Sequence, residues 1–301
     1  RNRQYRKRII HLSIETSMKD FYCSVFSAAR ASILEYLTDY ALFSQELSHP
    51  VLGMERGSNI QYSFDVKIDA VIRSKIEKSG LQGVVFSEES GFYVVGSEKT
   101  HRIVFDPFCN STLASRGILD SACGLSVFSW DYRLLASGIL DYQTGIVALY
   151  EVGKTTRFFS LVSGDDISVR QGTSDSLEDA WVVLVLENQA ERAGLGEIKT
   201  IFDSAKRILV GSGHIYWLRL AMGTVDAYLD PVGGEQLYEM FAASVAQGAG
   251  CIVTDRDGEV FDSGKYLKVF EQNQNFRYYP IAARTESLHA ILFRSQQKSF
   301  S

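Results

Sequence analysis

The stretch Val84–Thr112, VVFSEESGFYVVGSEKTHRIVFDPFCNST, decides how the chain is read. Two short apolar runs inside it deliver acidic residues at their carboxyl ends: Val84 to Phe86 leads into Ser87-Glu88-Glu89, and Arg102 to Phe105 leads into Asp106-Pro107. Neighbouring strands that end together place Glu88 and Asp106 side by side, and adjacent carboxylates are costly without a cation between them. Pro107 stops the second strand by removing a backbone donor. Asn110-Ser111-Thr112 then supplies helix-capping residues whose amides suit a phosphate. An acidic strand end running into a phosphate-type turn points to metal-assisted phosphate chemistry. Cys109 breaks that pattern, because a further carboxylate is wanted there.

Working outward, 301 residues suffice for one large domain or two intimate ones with proper cores. An apolar fraction of 46% and a charged fraction of 22% are those of a soluble globular protein. A formal net charge of −5, with no stripe of basic and aromatic residues, argues against nucleic acid as a partner. Cys23, Cys109, Cys123 and Cys251 form no CxxC pair, which argues against zinc and disulfide frameworks and favours a reducing compartment. The longest apolar run, Trp181 to Leu186, is far short of a bilayer span, and no signal-peptide pattern opens the chain, so the expectation is a cytoplasmic protein without a membrane partner. The basic residues Arg1, Arg3, Arg6, Lys7 and Arg8 read as a solvated lead-in, and the lack of an initial Met suggests a trimmed start.

Phe21, Val25, Ala29, Ile33, Leu37 and Tyr40 recur near a 3.6 period and predict one long helix from Ser13 to Phe43. His49-Pro50 and Gly53 to Gly57 form a break, after which a second helix opens at Asp65 and runs to Lys78, carrying Asp69. From Gly117 to Tyr150 short β-rich runs separated by turns predict an antiparallel meander, continued by Phe158, Phe159 and Leu161. Beyond it, strands at Ala180 to Leu186, Ile208 to Val210, Val225 to Leu229, Cys251 to Val253 and Tyr279 to Ala283 alternate with expected helices at Gly196 to Ala205, through Tyr216 to Met222, at Glu235 to Gly250 and at Thr285 to Phe293. Gly211-Ser212-Gly213, between strand and helix, is a weak anion-cradle signal. This order implies a layered α/β architecture, with a boundary near residues 161–175 separating an N-terminal α+β half (1–165) from a C-terminal α/β half (166–301), packed as one unit.

In order and motif, nearly the whole chain resembles the magnesium-dependent, lithium-sensitive phosphatases that include inositol monophosphatases and fructose-1,6-bisphosphatases. The Ser-Glu-Glu strand end, Phe-Asp-Pro, EDAWVVLVLE, Gly-Ser-Gly before a helix, DAYLDP, GAGCIVTDRDGEVFD and PIAARTESLHAIL carry the likeness. The resemblance implies alternating α-β-α-β-α layers and a homodimer. It also implies Mg²⁺ held by Glu88, Asp106 and the Phe108 carbonyl, with Asp69 and Ser111 orienting a water. Asn110, Ser111, Thr112, the Gly211-Ser212-Gly213 turn and Asp230 fall at its phosphate- or substrate-contacting positions.

The departures cluster around a second metal position. Cys109 stands where the family has an Asp, Asn110 where it has Gly, and Tyr238 where it has a late acidic ligand, with Glu239 as the adjacent substitute. A thiol is a soft ligand and a phenol is protonated at neutral pH, so neither suits magnesium. The leading expectation is therefore a phosphatase-fold protein that keeps a pocket for a phosphorylated small metabolite but has weak or lost hydrolysis. The alternative is a working phosphomonoesterase with one Mg²⁺, acting on a sugar, inositol or nucleotide phosphate. A third reading makes Cys109 a nucleophile or a soft-metal ligand, against which stands the lack of a nearby His in sequence.

Overall fold

The computed structural model describes residues 17–39, 42, 62–170, 174–186, 198–232, 234–273 and 275–297. The basic lead-in, the break at residues 49–57 and the outer ends of the first expected helix lie outside the described residues. Helix α1 (Met18–Thr38) starts where Ser17 accepts a hydrogen bond from the Asp20 amide, and it buries Phe21, Tyr22, Val25, Phe26, Ala29, Ile33 and Tyr36 along one face. Helix α2 (Ser63–Lys78) buries Phe64, Ile68, Ile72 and Ile76 together with two carboxylates, Asp65 and Asp69, one turn apart. Burying Asp side chains at helical spacing makes sense only where polar partners meet them.

Both helices pack on one face of a seven-stranded sheet. Its strands are β1 (Gly83–Ser87), β2 (Gly91–Val95), β3 (His101–Asp106), β4 (Ala122–Ser129), β5 (Leu134–Asp141), β6 (Ile146–Glu151) and β7 (Arg157–Ser160), in the order β2-β1-β3-β4-β5-β6-β7. Strands β1 and β3 are parallel, with Ser87 opposite Phe105, so the two acidic strand ends do emerge together. β4 to β7 form the expected antiparallel meander. β2, which the sequence reading left unassigned, is an edge strand whose alternate residues Phe92 and Val94 face outward. Between β3 and β4 lies the single-turn helix α3 (Ser111–Ala114).

A second sheet of five strands is built from β8 (Trp181–Leu184), β9 (Arg207–Val210), β10 (Ala227–Leu229), β12 (Ile252–Asp255) and β14 (Pro280–Ala283), while β11 (Glu235–Gln236) pairs separately with β13 (Arg277–Tyr278). Helices α5 (His214–Met222), α7 (Ala243–Gly248) and α8 (Ser263–Gln272) contribute Trp217, Leu220, Val245, Leu267 and Phe270 to a core between the sheets, which also takes Phe128, Ile139, Val183 and Tyr228 from the strands. On the far face α4 (Lys199–Ser204) and α9 (Glu286–Gln297) cover Val182, Leu184, Leu229 and Ile281 with Ile201, Leu288 and Leu292. The layers therefore run α-β-α-β-α.

The expected helix from Glu235 to Gly250 is instead β11 followed by the short helices α6 (Leu237–Met240) and α7. Tyr238, Met240, Phe241, Ala242 and Ala243 are all buried, and no single helical face holds such a run. The chain bends between them through i to i−3 bonds, such as Ala242 N to Glu239 O at 3.1 Å. Helix α8 was not anticipated, although Asp262 caps the Gly264 and Lys265 amides and Tyr266, Leu267 and Phe270 form its buried stripe.

Candidate functional site

The site grows out of the loop after β3. Asp106 is that strand's last residue, and its Oδ1 accepts the Phe108 amide at 2.8 Å. The Tyr142 hydroxyl donates to the Pro107 carbonyl at 2.5 Å, and the Phe108 ring stacks on Tyr142 and meets Phe64 edge-on. Asn110 adopts left-handed φ 66°, which explains how it serves where glycine is otherwise expected, since Asn tolerates that region better than most residues. Its side-chain amide donates to the carbonyls of Asp120 at 2.8 Å and Ser212 at 3.1 Å, and so ties the loop to the Gly-Ser-Gly turn. These contacts fix the backbone on which both flanks of the site are mounted.

One flank carries hydroxyls and carboxylates. Ser111 Oγ lies 2.8 Å from Asp65 Oδ1 and 2.9 Å from the Phe108 carbonyl, while Asp65 Oδ2 accepts the Tyr62 amide. The Ser111 partner is thus Asp65, not the expected Asp69. Asp65 sits in the first turn of α2, level with the loop, whereas Asp69 is one turn further on and accepts from Ser87 Oγ and, at 3.2 Å, from Ser90 Oγ. Burial pushes both carboxyls above the usual range, with Glu89 the next contributor at Asp65.

The opposite flank carries sulfur and nitrogen. Asp106 Oδ2 faces His214 Nδ1 at 3.3 Å, and the ligand atoms of Asp106, Cys109 and His214 all lie within 4.8 Å of one another. Asp106 and His214 are each 1% exposed and Cys109 is 3% exposed. Cys109 Sγ accepts the Ala122 amide at 3.4 Å, and burial, reinforced by the charges of Asp106 and Glu239, pushes its thiol well up. Two glycines make the room. A Cβ at Gly124, which pairs with Asp106 across the sheet, would stand 1.9 Å from His214 Nε2. A Cβ at Gly213, at φ +83°, would press on Cys109 at 3.3 Å, with Glu239 Oε1 at 3.5 Å. Cys109, which has no histidine near it in sequence, thus has His214 beside it in the fold.

The remaining expected residues divide. Glu88 follows β1, its amide donating to the Phe105 carbonyl. Glu239 brings its carboxylate beside Cys109, while Tyr238 is a core residue packed edge-on against Phe270 at 4.7 Å. Gly211 gives way to the Tyr216 ring, and the Ser212 carbonyl receives Asn110. Thr112 is exposed on α3. Asp230 is fully buried, with Oδ1 accepting the Val232 amide at 3.2 Å. A cleft of about 930 Å³ between the β4–β5 turn and α8, lined by Arg133, Lys265 and Lys268, contains none of these residues. His214 and Asp65 were missed by the sequence reading. The signal for His214 was a titratable residue at the first helical position after Gly-Ser-Gly, and for Asp65 an acid in the first turn of an otherwise apolar helix face.

Magnesium demands near-octahedral oxygen donors. The open oxygen of Asp106 instead faces an imidazole beside a thiol, and the Phe108 carbonyl is within reach of the Ser111 hydroxyl. The thiol and imidazole on this side of Asp106 do not suit Mg²⁺.

No family model and no curated protein matches the sequence. Solved structures do match the fold. The extragenic suppressor protein suhB of Bartonella henselae superposes with a TM-score of 0.74 at 19% identity, covering 93% of this chain and 98% of that one. An IMPase of Thermotoga maritima gives 0.72 at 14% identity, covering 94% and 97%. A gene product described as an inositol monophosphatase–fructose 1,6 bisphosphatase gives 0.71 at 18%, covering 93% and 99%. With the layer order and the paired acidic strand ends, these likenesses identify the chain as having the fold of the inositol monophosphatase and fructose bisphosphatase superfamily.

Proposed function

We propose that the protein binds a phosphorylated small metabolite beside the 106–112 loop, and that magnesium-dependent hydrolysis is weak or lost. The observation that carries the reading is the 3.3 Å approach of His214 Nδ1 to Asp106 Oδ2, with Cys109 alongside. A phosphatase of this fold needs oxygen ligands around that carboxylate, and replacing them costs several kcal/mol of transition-state stabilisation by order of magnitude. Supporting the binding half are the exposed Thr112 on α3 and the Gly211-Ser212-Gly213 turn laced to the same loop through Asn110. The test is a magnesium titration that follows phosphate release from a panel of sugar, inositol and nucleotide monophosphates, alongside calorimetric binding of the same esters. Binding without sustained release is expected. Turnover that depends on Mg²⁺ and disappears in Asp106→Asn would sink the reading.

One observation favours a second reading, a working phosphomonoesterase: the Ser111–Asp65 contact at 2.8 Å, a hydroxyl and carboxyl pair placed to orient a water. The same titration separates the two, because under this reading release persists in the wild type and falls in Ser111→Ala.

A further inference from the structure

We infer that Asp106, Cys109 and His214 form a binding site for one borderline divalent transition-metal ion of the zinc type. The inference stands on the donor set and holds whether or not a phosphate ester binds. Three elements converge on the site: the end of β3, the loop behind it, and the first residue of α5. Their ligand atoms lie within 4.8 Å of one another and all three residues are buried. The edges of a tetrahedral zinc site with nitrogen, oxygen and sulfur ligands run roughly 3.3–3.8 Å, so small side-chain rotations close the distance.

A second observation points to a ligand at the same place. Asp106 Oδ2 and His214 Nδ1 are both shielded from solvent, and neither makes a hydrogen bond although they face each other at 3.3 Å. A buried polar atom left without a partner is costly. A cation between them satisfies both, accepting a lone pair from the carboxylate and one from the imidazole. Cys109 completes the set as a thiolate. On binding, its S–H bond is exchanged for a sulfur–metal bond and one proton leaves to solvent.

The chemistry selects the ion. Thiolate and imidazole together suit zinc, cobalt or iron far better than magnesium, which holds to oxygen. A nucleophilic role for Cys109 is the competing use of the same pair, but reactive thiols are accessible and of lowered pKa, whereas this one is buried against two carboxylates. The lack of a CxxC pair gave no warning, because the ligands come from distant parts of the chain.

The full chain, stripped with a chelator under reducing conditions, is dialysed against Zn²⁺ in the presence of a large excess of Mg²⁺ and the retained zinc counted. The same protein is then loaded with Co²⁺ and its absorption spectrum recorded. One retained equivalent is expected, with a thiolate-to-cobalt charge-transfer band. Cys109→Ser removes the band, His214→Ala weakens zinc binding at least about tenfold, and Cys23→Ser, at the partly exposed cysteine, changes neither. Cys109→Ser keeps an acceptor for the Ala122 amide, so its spectrum remains informative even where His214→Ala fails to fold. The proposal is overturned by failure to retain zinc against Mg²⁺, or by a band and affinity unchanged in both variants. Because the readout is metal content, it is independent of whether phosphate esters bind or are hydrolysed.

Discussion

On one flank of the loop after β3, Ser111 reaches Asp65 at 2.8 Å and every polar atom of that contact has a partner. On the other flank, five residues back along the chain, Asp106 Oδ2 faces His214 Nδ1 with no hydrogen bond to either. The same backbone turn, held by Tyr142 and Asn110, supports both. The contrast separates two chemistries: the oxygen-bearing flank carries groups suited to positioning a water or phosphate, while the Asp106 flank carries a thiol and an imidazole. The flanks differ in donor chemistry, on a loop that is well fastened throughout.

The largest expected effect comes from erasing the difference. Cys109→Asp with His214→Ala replaces the thiol by a carboxylate and removes the imidazole, and magnesium-dependent phosphate release should rise by about 100-fold over the wild type. No gain, in a variant shown by circular dichroism to be folded, would mean that the deficit lies elsewhere.

A smaller effect tests how His214 is seated. Gly124→Ala places a methyl 1.9 Å from the imidazole and should destabilise the protein by about 1–3 kcal/mol in urea unfolding. Most of that loss should vanish when His214→Ala is combined with it. An equal loss in both backgrounds would show that the ring does not press on Gly124.

The smallest effect lies on the oxygen-bearing flank. Burial raises the Asp69 carboxyl, so the folded state holds that proton more tightly than the unfolded chain does. Stability from this group is present below the ordinary Asp pKa and is lost as pH rises through the raised value. Asp69→Asn keeps an oxygen for Ser87 and Ser90 and removes the titration, so its stability relative to wild type should improve as pH rises across that interval. A difference independent of pH would contradict the assignment.

Much of this was legible in the sequence. The paired strand ends, the meander and the layer order follow from local pattern, because alternation, turn residues and strand-ending Pro107 act over a few neighbours. The break at Tyr238 to Ala243 was not legible, since Glu239, Met240, Ala242 and Ala243 are good helix formers locally and only the fold buries Tyr238, Met240, Phe241, Ala242 and Ala243 together. Asp65 and Asp69 lie one turn apart on α2, and only the height of the loop beside the helix decides which meets Ser111. His214 was invisible for a related reason: its meaning comes from Gly124 and Asp106, which reach it only across the sheet.

The most direct test of the claim that thiol and imidazole have taken over the open oxygen of Asp106 is diffraction at the zinc absorption edge from crystals grown with Zn²⁺ and excess Mg²⁺. A single anomalous peak bonded to Asp106 Oδ2, Cys109 Sγ and the His214 imidazole is the expected result. A peak held by Glu88 and the Phe108 carbonyl, with His214 turned away, would contradict it.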